Sequence, residues 1–589
     1  MIKLSKRGRR IEVRADEPLP GMKTTIPGAY LSTGGYWTVP LSLESCVLLR
    51  QKFGGRLSVA PELVRWVRGV QTARRDMARL SRQRSAKLEV LPHVAPRLYK
   101  AMRNRPYQLV GARFVADNQP GCLIADDPGL GKTLIAMGGI LEAEIPGPYL
   151  VVAPKTAADA TWKREIERWL PADHRVILMP KFRYQRERKL RLSRFGPKTW
   201  LIIHPEIALT QAYIRCAECG QSTVDKGRNL RTLSCKHPKD RHCKRYLVHS
   251  YKRLFEIPWG AIVADESHES LIVRQRSKET QRRRGMALIP LRTDGTRIAV
   301  SGTPWDSKPH QLWGTLNWLD ARTYSAFHRW VELYWRKGGY SGYQIGEFIK
   351  EREKMLWDSL SAVALRRTKA EVAKDLPPKI YVGTRLFPHE TDSPIGVWLE
   401  MDGEQARAYE EMEKYSIARL DSGRLDAMSS LAELTRLKQL ACSYGDIEEV
   451  KKRDRETGDW YLDHRYHPRM PSNKLAWILD SLEEWGFPKE PLSKVVIVSF
   501  YTGILECFSR EIETHFKTKP DRPLCTAISG RTKQEDRRPI IDRFNTADGP
   551  QIMMLNVKAG GTSITIDSAD RMVFISETRI PDQQKQAED

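Results

Sequence analysis

The chain has 589 residues, 41% of them hydrophobic and 29% charged, with a formal net charge of +26. That balance excludes fibrous and disordered classes, and the length suffices for three or four domains of ordinary size. No apolar run is long enough to span a bilayer and the first residues hold no apolar signal core, so a soluble protein with no membrane partner is expected.

Residues 1–95 read as a small basic α+β module. The first hundred residues carry 20 lysines and arginines against 7 acids, half of the total excess, and such a field suits a polyanionic partner, nucleic acid above all. Arg10–Arg14 alternates like a strand, and Tyr36–Pro40 gives a second after the turn at Gly34-Gly35. Leu41 to Phe53 reads as an amphipathic helix. The arginine-rich stretch Arg65–Arg84 reads as a helical linker able to touch phosphates.

Residues 96–375 carry the chemistry. Gln108, in Arg105-Pro106-Tyr107-Gln108, offers an amide that donates and accepts at once, which suits the edge of an adenine. Cys122-Leu123-Ile124 is a strand, Ala125 to Gly131 a glycine-bearing loop, and Leu134 onward a helix. In Asp126-Asp127-Pro128-Gly129-Leu130-Gly131-Lys132-Thr133 the glycines let the backbone N–H groups converge on an anion at a helix N-terminus. Lys132 supplies a cation for the β- and γ-phosphates of ATP, and the Thr133 hydroxyl suits a Mg²⁺ shell. Asp127, Gly129, Leu130 and Gly131 complete the candidate nucleotide cradle. Asp126 stands where this pattern usually has glycine.

Tyr149–Val152, Thr199–Ile203 and Ala261–Ala264 are apolar, β-branched runs of the kind that fill a parallel sheet buried on both faces. The third ends in Asp265-Glu266-Ser267-His268. Asp265 is suited to the Mg²⁺ shell and Glu266 to orienting and polarising the attacking water. Lys132, Asp265 and Glu266 are therefore the candidate catalytic residues. Arg297–Val300 is a further strand, ending in Ser301-Gly302-Thr303-Pro304, small hydroxyl residues able to sense phosphate or backbone.

Residues 212–248 form an insertion holding Cys216, Cys219, Cys235 and Cys243. Four soft ligands in two pairs suit a tetrahedral Zn²⁺ ribbon of structural role, with His237 or His242 as alternatives for Cys243. Nine cysteines in all are too few for a disulfide scaffold of this size.

Residues 376–589 start a second α/β lobe, with a helical insertion over 400–450 and a polar, loop-like stretch from Lys451 to Met470. Val495–Phe500 and Gln551–Leu555 read as strands of its sheet.

With these motifs in this order, the chain resembles the SNF2-type motors of helicase superfamily 2. The resemblance rests on Arg105–Phe114, Asp126–Thr133, Asp265–His268, Ser301–Pro304, Leu365–Val372, Leu376–Lys379 and Leu434–Gln439, and it covers about Arg105 to Asp589. It implies two RecA-like lobes that clamp ATP and track along duplex, forked or single-stranded DNA. An acid at Asp126 is common among such motors, and Ser267 replaces a frequent alanine. It further implies a DNA- and nucleotide-contacting loop at Lys558–Ser563, where Ser563 and Thr565 depart from the commoner residues. Pro581–Asp589 resembles the opening of the family's last motif without the arginines that follow it. Such arginines contribute on the order of 10³–10⁵ in rate in comparable phosphoryl transfers, so a truncated, weakly hydrolysing form is expected. A short stretch, Ile26–Tyr30 with Gly35–Leu41, is faintly similar to the HARP-type module of annealing helicases.

The expected function is ATP-dependent DNA translocation that remodels, anneals or unwinds DNA. The alternatives are a DNA-binding scaffold with weak ATPase activity, or the motor subunit of a restriction or anti-phage system with protein partners. A monomer in the cytoplasm of a bacterial or phage-infected cell is the expected setting.

Overall fold

The computed structural model describes residues 1–589 apart from 181, 206–211, 217–221, 225–244, 250, 275–277, 305–308, 339–343, 376–378, 387–394, 402, 428–429, 454–459, 491–492, 520–521, 558–565, 567 and 577–589. It divides into two units, Met1–Lys374 and Asp375–Asp589.

The first unit opens with a five-stranded sheet in the spatial order Tyr30–Leu31, Trp37–Pro40, Arg10–Ala15, Ile2–Arg7, Leu57–Val59. Ile2, Leu4, Ile11, Val13 and Val39 point to one face, which Leu48, Leu49 and Phe53 of the helix Leu43–Phe53 cover. The Ser42 hydroxyl caps that helix by accepting from the Ser45 N–H. The expected linker is part of a 21-residue helix, Pro61–Ser81. Its Leu63, Trp66 and Val67 pack into the core of the small sheet, while Met77 and Leu80 pack into a core of the large sheet that follows. One helix thus belongs to two cores.

The large sheet has seven strands, in the order Ala364–Leu365, Gly121–Ile124, Leu291–Val300, Trp259–Ala264, Tyr149–Val152, Thr199–Ile203, Arg175–Leu178, and every neighbouring pair is parallel. Alternate residues divide between two apolar layers. Leu123, Leu150, Val152 and Ile262 join one; Ile124, Tyr149, Val151 and Val263 join the other. Burial on both faces explains the unbroken apolar runs. Glu142, at the end of the helix Lys132–Glu142, is buried and accepts the backbone N–H groups of Glu89, Val90 and Leu91 at 2.8–3.1 Å. This carboxylate fixes the segment that leads into Gln108.

Within the insertion, Ala212–Cys216 pairs antiparallel with both Ser222–Val224 and Arg245–His249, and Cys216 lies opposite Arg245.

The second unit is built on a four-stranded parallel sheet, Cys525–Ile528, Gln551–Asn556, Lys494–Ser499, Arg571–Phe574 in spatial order. Helices Asn473–Glu484 and Thr502–His515 bury Leu475, Ile478, Ile504 and Phe508 against it. Two expectations fail ahead of this sheet. The 400–450 region is not helical throughout: between helices Gly403–Tyr415 and Ser430–Leu440 lies the hairpin Ile417–Leu420/Gly423–Asp426. Tyr444–Arg453 and Trp460–Arg469, the latter inside the supposed loop, are the two ten-residue strands of one antiparallel ribbon. At its base Tyr444 and Tyr466 are buried, with Ile447 packed beside them. At the same end cross-strand charges also join the strands, Glu448 with His467 at 3.0 Å and Asp446 with Arg469 at 3.0 Å, and backbone pairing continues out to Arg453 and Trp460. Its charged sequence shows no sustained hydrophobic alternation, so the strand pattern is not visible there.

Candidate active site

Strand register decides what meets at the carboxyl edge of the large sheet. Ile124 pairs with Val300 and Leu365, Ala264 with Ala299 and Val152, and Val152 with Ile203. The loop from Ala125, the acids after Ala264 and the Ser301 turn therefore leave the sheet side by side. So do Lys155 after Val152 and Arg366-Arg367 after Leu365. Ligands of open α/β sheets bind at this edge.

The loop carries positive φ at Gly129 (82°) and Gly131 (80°), and Lys132 opens the helix. A Cβ at Gly131 would stand 2.3 Å from Gln108 Nε2, so the close approach of Gln108 also requires glycine there. Gln108 is buried; its Nε2 donates to the Leu130 carbonyl at 3.1 Å, and its Oε1 has no partner among the described residues. It lies against the phosphate loop with an acceptor in reserve. Lys132 Nζ donates to the carbonyls of Asp126 (3.0 Å) and Asp127 (3.2 Å). Burial pulls its ammonium below the usual lysine value, while Glu266, Asp265, Asp126 and Asp127 act in the opposite sense. The charges of both Asp265 and Glu266 act on Lys132, in keeping with the strand register that brings the two turns out of one sheet edge. Thr133 follows, half-buried, as the second helical residue. Asp127 is turned elsewhere: its carboxylate accepts from Arg366 Nη2 at 3.2 Å and from the Lys369 N–H at 3.1 Å.

Asp265 Oδ2 accepts from Trp162 Nε1 at 2.8 Å, and its Oδ1 from the Glu266 N–H at 3.1 Å. Burial raises the Asp265 carboxyl above the ordinary range, opposed by the Trp162 bond and by Lys132. Glu266 sits at φ 42°, a left-handed setting rare for a side-chain-bearing residue. Its carboxyl is pushed up to about 8, chiefly by burial and then by the charge of Asp265. Two recessed acids that hold their protons this readily form a donor set from which a divalent cation would displace the protons. His268 Nδ1 lies 2.8 Å from Ser301 Oγ and 3.4 Å from Glu266 Oε2, and Ser301 Oγ accepts from the Thr303 N–H at 3.2 Å. The His268 ring thereby lies between Glu266 and the Ser301 turn.

Three groups carry weight that the sequence did not assign them. Arg367 pairs through Nε and Nη2 with both oxygens of Asp126, a fully buried acid, and donates through Nη1 to the Tyr107 carbonyl. Asp126 replaces the usual glycine because it anchors the loop to the last strand of the sheet. Arg366 Nη1 donates to the carbonyls of Ala125 (2.7 Å) and Gly302 (3.2 Å), bracing two of the convergent turns. Trp162, buried in the π-helical turn Ala158–Lys163, orients Asp265. The one signal available was Arg366-Arg367 directly after an apolar stub, a charge pair placed where a strand must end.

Of the candidate zinc ligands, Cys216 ends a strand while Cys219, Cys235 and Cys243 lie outside the described residues, as do His237 and His242. The Lys558–Ser563 loop, Thr565 and the Pro581–Asp589 segment lie outside them too. Among the described residues no group of three or more metal-binding side chains occurs.

The sequence model of the SNF2-related domain matches residues 61–445, and that of the helicase conserved C-terminal domain matches residues 474–589. The chain is 25% identical over 505 residues to the ISWI chromatin-remodeling complex ATPase ISW1 of Saccharomyces cerevisiae, covering 82% of this chain and 37% of that protein. It is 26% identical over 513 residues to the human SWI/SNF-related matrix-associated actin-dependent regulator of chromatin subfamily A member 1, covering 84% of this chain and 40% of that one. The chain spans well under half the length of these curated relatives. Among solved structures, the Sulfolobus solfataricus SWI2/SNF2 ATPase core in complex with dsDNA is similar at 19% identity and a TM-score of 0.33, over 85% of this chain and 86% of that one; a likeness of that size adds nothing to the assignment. The first domain match alone spans more than half of the sequence and runs through the phosphate loop, the acid pair and the Arg366-Arg367 brace, so the chain belongs to the SNF2-related family of helicase superfamily 2.

Proposed function

We propose that the chain is an ATP-dependent DNA translocase. The observation that supports this best is the sharing of one sheet edge by the Lys132 loop and the Asp265-Glu266 pair, with the acids' field acting on the lysine. Backbone N–H groups of the loop would receive the phosphate tail of ATP. Lys132 would leave the carbonyls of Asp126 and Asp127 for the β- and γ-phosphates, and Gln108, with its spare Oε1, would receive the base. Thr133 and Asp265 would hold Mg²⁺, which when bound offsets the charge developing on the transferred phosphoryl oxygens. Glu266, whose carboxyl binds a proton readily, would orient the water and take its proton. The Glu266–His268–Ser301 chain offers a route by which the state of the γ-phosphate reaches the next turn.

Hydrolysis measured without nucleic acid and with single-stranded, duplex and forked DNA and RNA tests the reading, together with displacement of a triplex third strand. Duplex or fork should raise turnover clearly above the rate without nucleic acid. Displacement should need ATP and fail with a non-hydrolysable analogue. Turnover indifferent to every DNA would overturn the proposal.

A structural Zn²⁺ in the insertion is a second part of the proposal. Its support is the register that sets Cys216, three residues before Cys219, opposite Arg245, two residues after Cys243. The purified chain should carry about one zinc and lose it on Cys216→Ser with Cys219→Ser. A metal-free parent protein would refute it.

A further inference from the structure

We propose that the outward face of the helix Pro61–Ser81 is a rail for the phosphate backbone of duplex DNA. This rests on the translocase reading and adds a contact surface outside the ATP site. Arg65, Arg68, Arg75, Arg79 and the capping residue Arg82 are all exposed. At about 100° per residue they fall within an arc of roughly 100°, and from Arg65 to Arg82 the row extends about 26 Å. That length is about three-quarters of a turn of B-DNA.

What lies between the arginines supports the assignment. Gly69, Thr72 and Gln83 share the face, and the acid there, Asp76, stands 3.6 Å from Arg79. Among the described residues Arg65, Arg68, Arg75 and Arg82 have no ion-pair partner. A row of like charges without local compensation costs self-repulsion, which an external polyanion relieves.

The opposite face holds the row still. Leu63, Trp66 and Val67 are seated in one core and Met77 and Leu80 in another, and Arg74 turns inward to donate to the buried Glu44 at 2.9 Å. A straight row fixed at both ends matches the regular phosphates of a duplex. Single-strand sites add aromatic platforms, and membrane-surface helices add apolar residues beside the basic ones. This face has no aromatic residue, its tryptophan being packed inward, and the only apolar side chains within the arc are Pro61 at the helix start and the half-buried Val64 at its rim.

The test is anisotropy titration of a labelled 30-base-pair duplex over a salt series, with the parent and with Arg68→Glu/Arg75→Glu/Arg82→Glu. Each phosphate contact contributes about 0.9 to the slope of log K on log salt, so three lost contacts should lower it by about 2–3 and raise Kd at least tenfold near 100 mM salt. Arg68→Lys/Arg75→Lys/Arg82→Lys should keep the parental slope, and both variants should retain the DNA-independent rate of hydrolysis. A glutamate variant with parental slope and Kd overturns the rail, and so does one that loses binding to phosphatidylserine vesicles but not to the duplex. If the parent binds duplex while no DNA stimulates its hydrolysis, the translocase reading fails and the rail stands or falls by its own slope.

Discussion

Glu266→Gln is expected to keep ATP bound and to slow its hydrolysis by about 10²–10⁴, the usual worth of a general base. The substitution preserves the size of the side chain and removes only the oxygen that takes the proton of water. Lys132→Ala, by contrast, should weaken ATP binding as well as turnover, because its ammonium contacts the phosphates in ground and transition states alike. The two variants therefore separate in a nucleotide-binding titration: retained affinity for Glu266→Gln, reduced affinity for Lys132→Ala. Both should bind duplex DNA as the parent does. Brisk steady-state turnover in either would remove the catalytic assignment of that residue.

Arg367→Met is the second large effect. Its guanidinium and the Asp126 carboxylate are 7% and 0% exposed, so removing one partner strands a buried charge, at a cost of about 3–5 kcal/mol. Tm should fall by roughly 4–6 °C for a unit of this size. Adding Asp126→Leu removes the stranded acid and should recover most of the loss, as replacing both members of a buried pair commonly does. The single variant should also bind ATP less well, since the pair fixes the phosphate loop to the strand end at Leu365 and Arg367 also holds the Tyr107 carbonyl, next to Gln108. A single variant that melts with the parent would show that the pair contributes nothing to the loop.

The phosphate loop, the strands that flank it and the acid pair were legible because local physics writes them into contiguous residues: an apolar run buried on both faces, then small or acidic residues at its end. Asp126 showed in the sequence only as a departure from the usual glycine, one common among such motors. Its purpose depends on Arg367, 241 residues away, and no local rule joins them. Trp162 and Asp265 are likewise met only through the sheet order. The Tyr444–Arg469 ribbon was hidden for the opposite reason, its strands being held in a charged sequence without sustained apolar alternation.

The helix that lends one end to the small sheet and the other to the large sheet has a thermodynamic consequence. Neither sheet can lose its partner without baring apolar side chains of the same rod, so the small sheet and the large sheet are coupled through packed side chains instead of a slack tether.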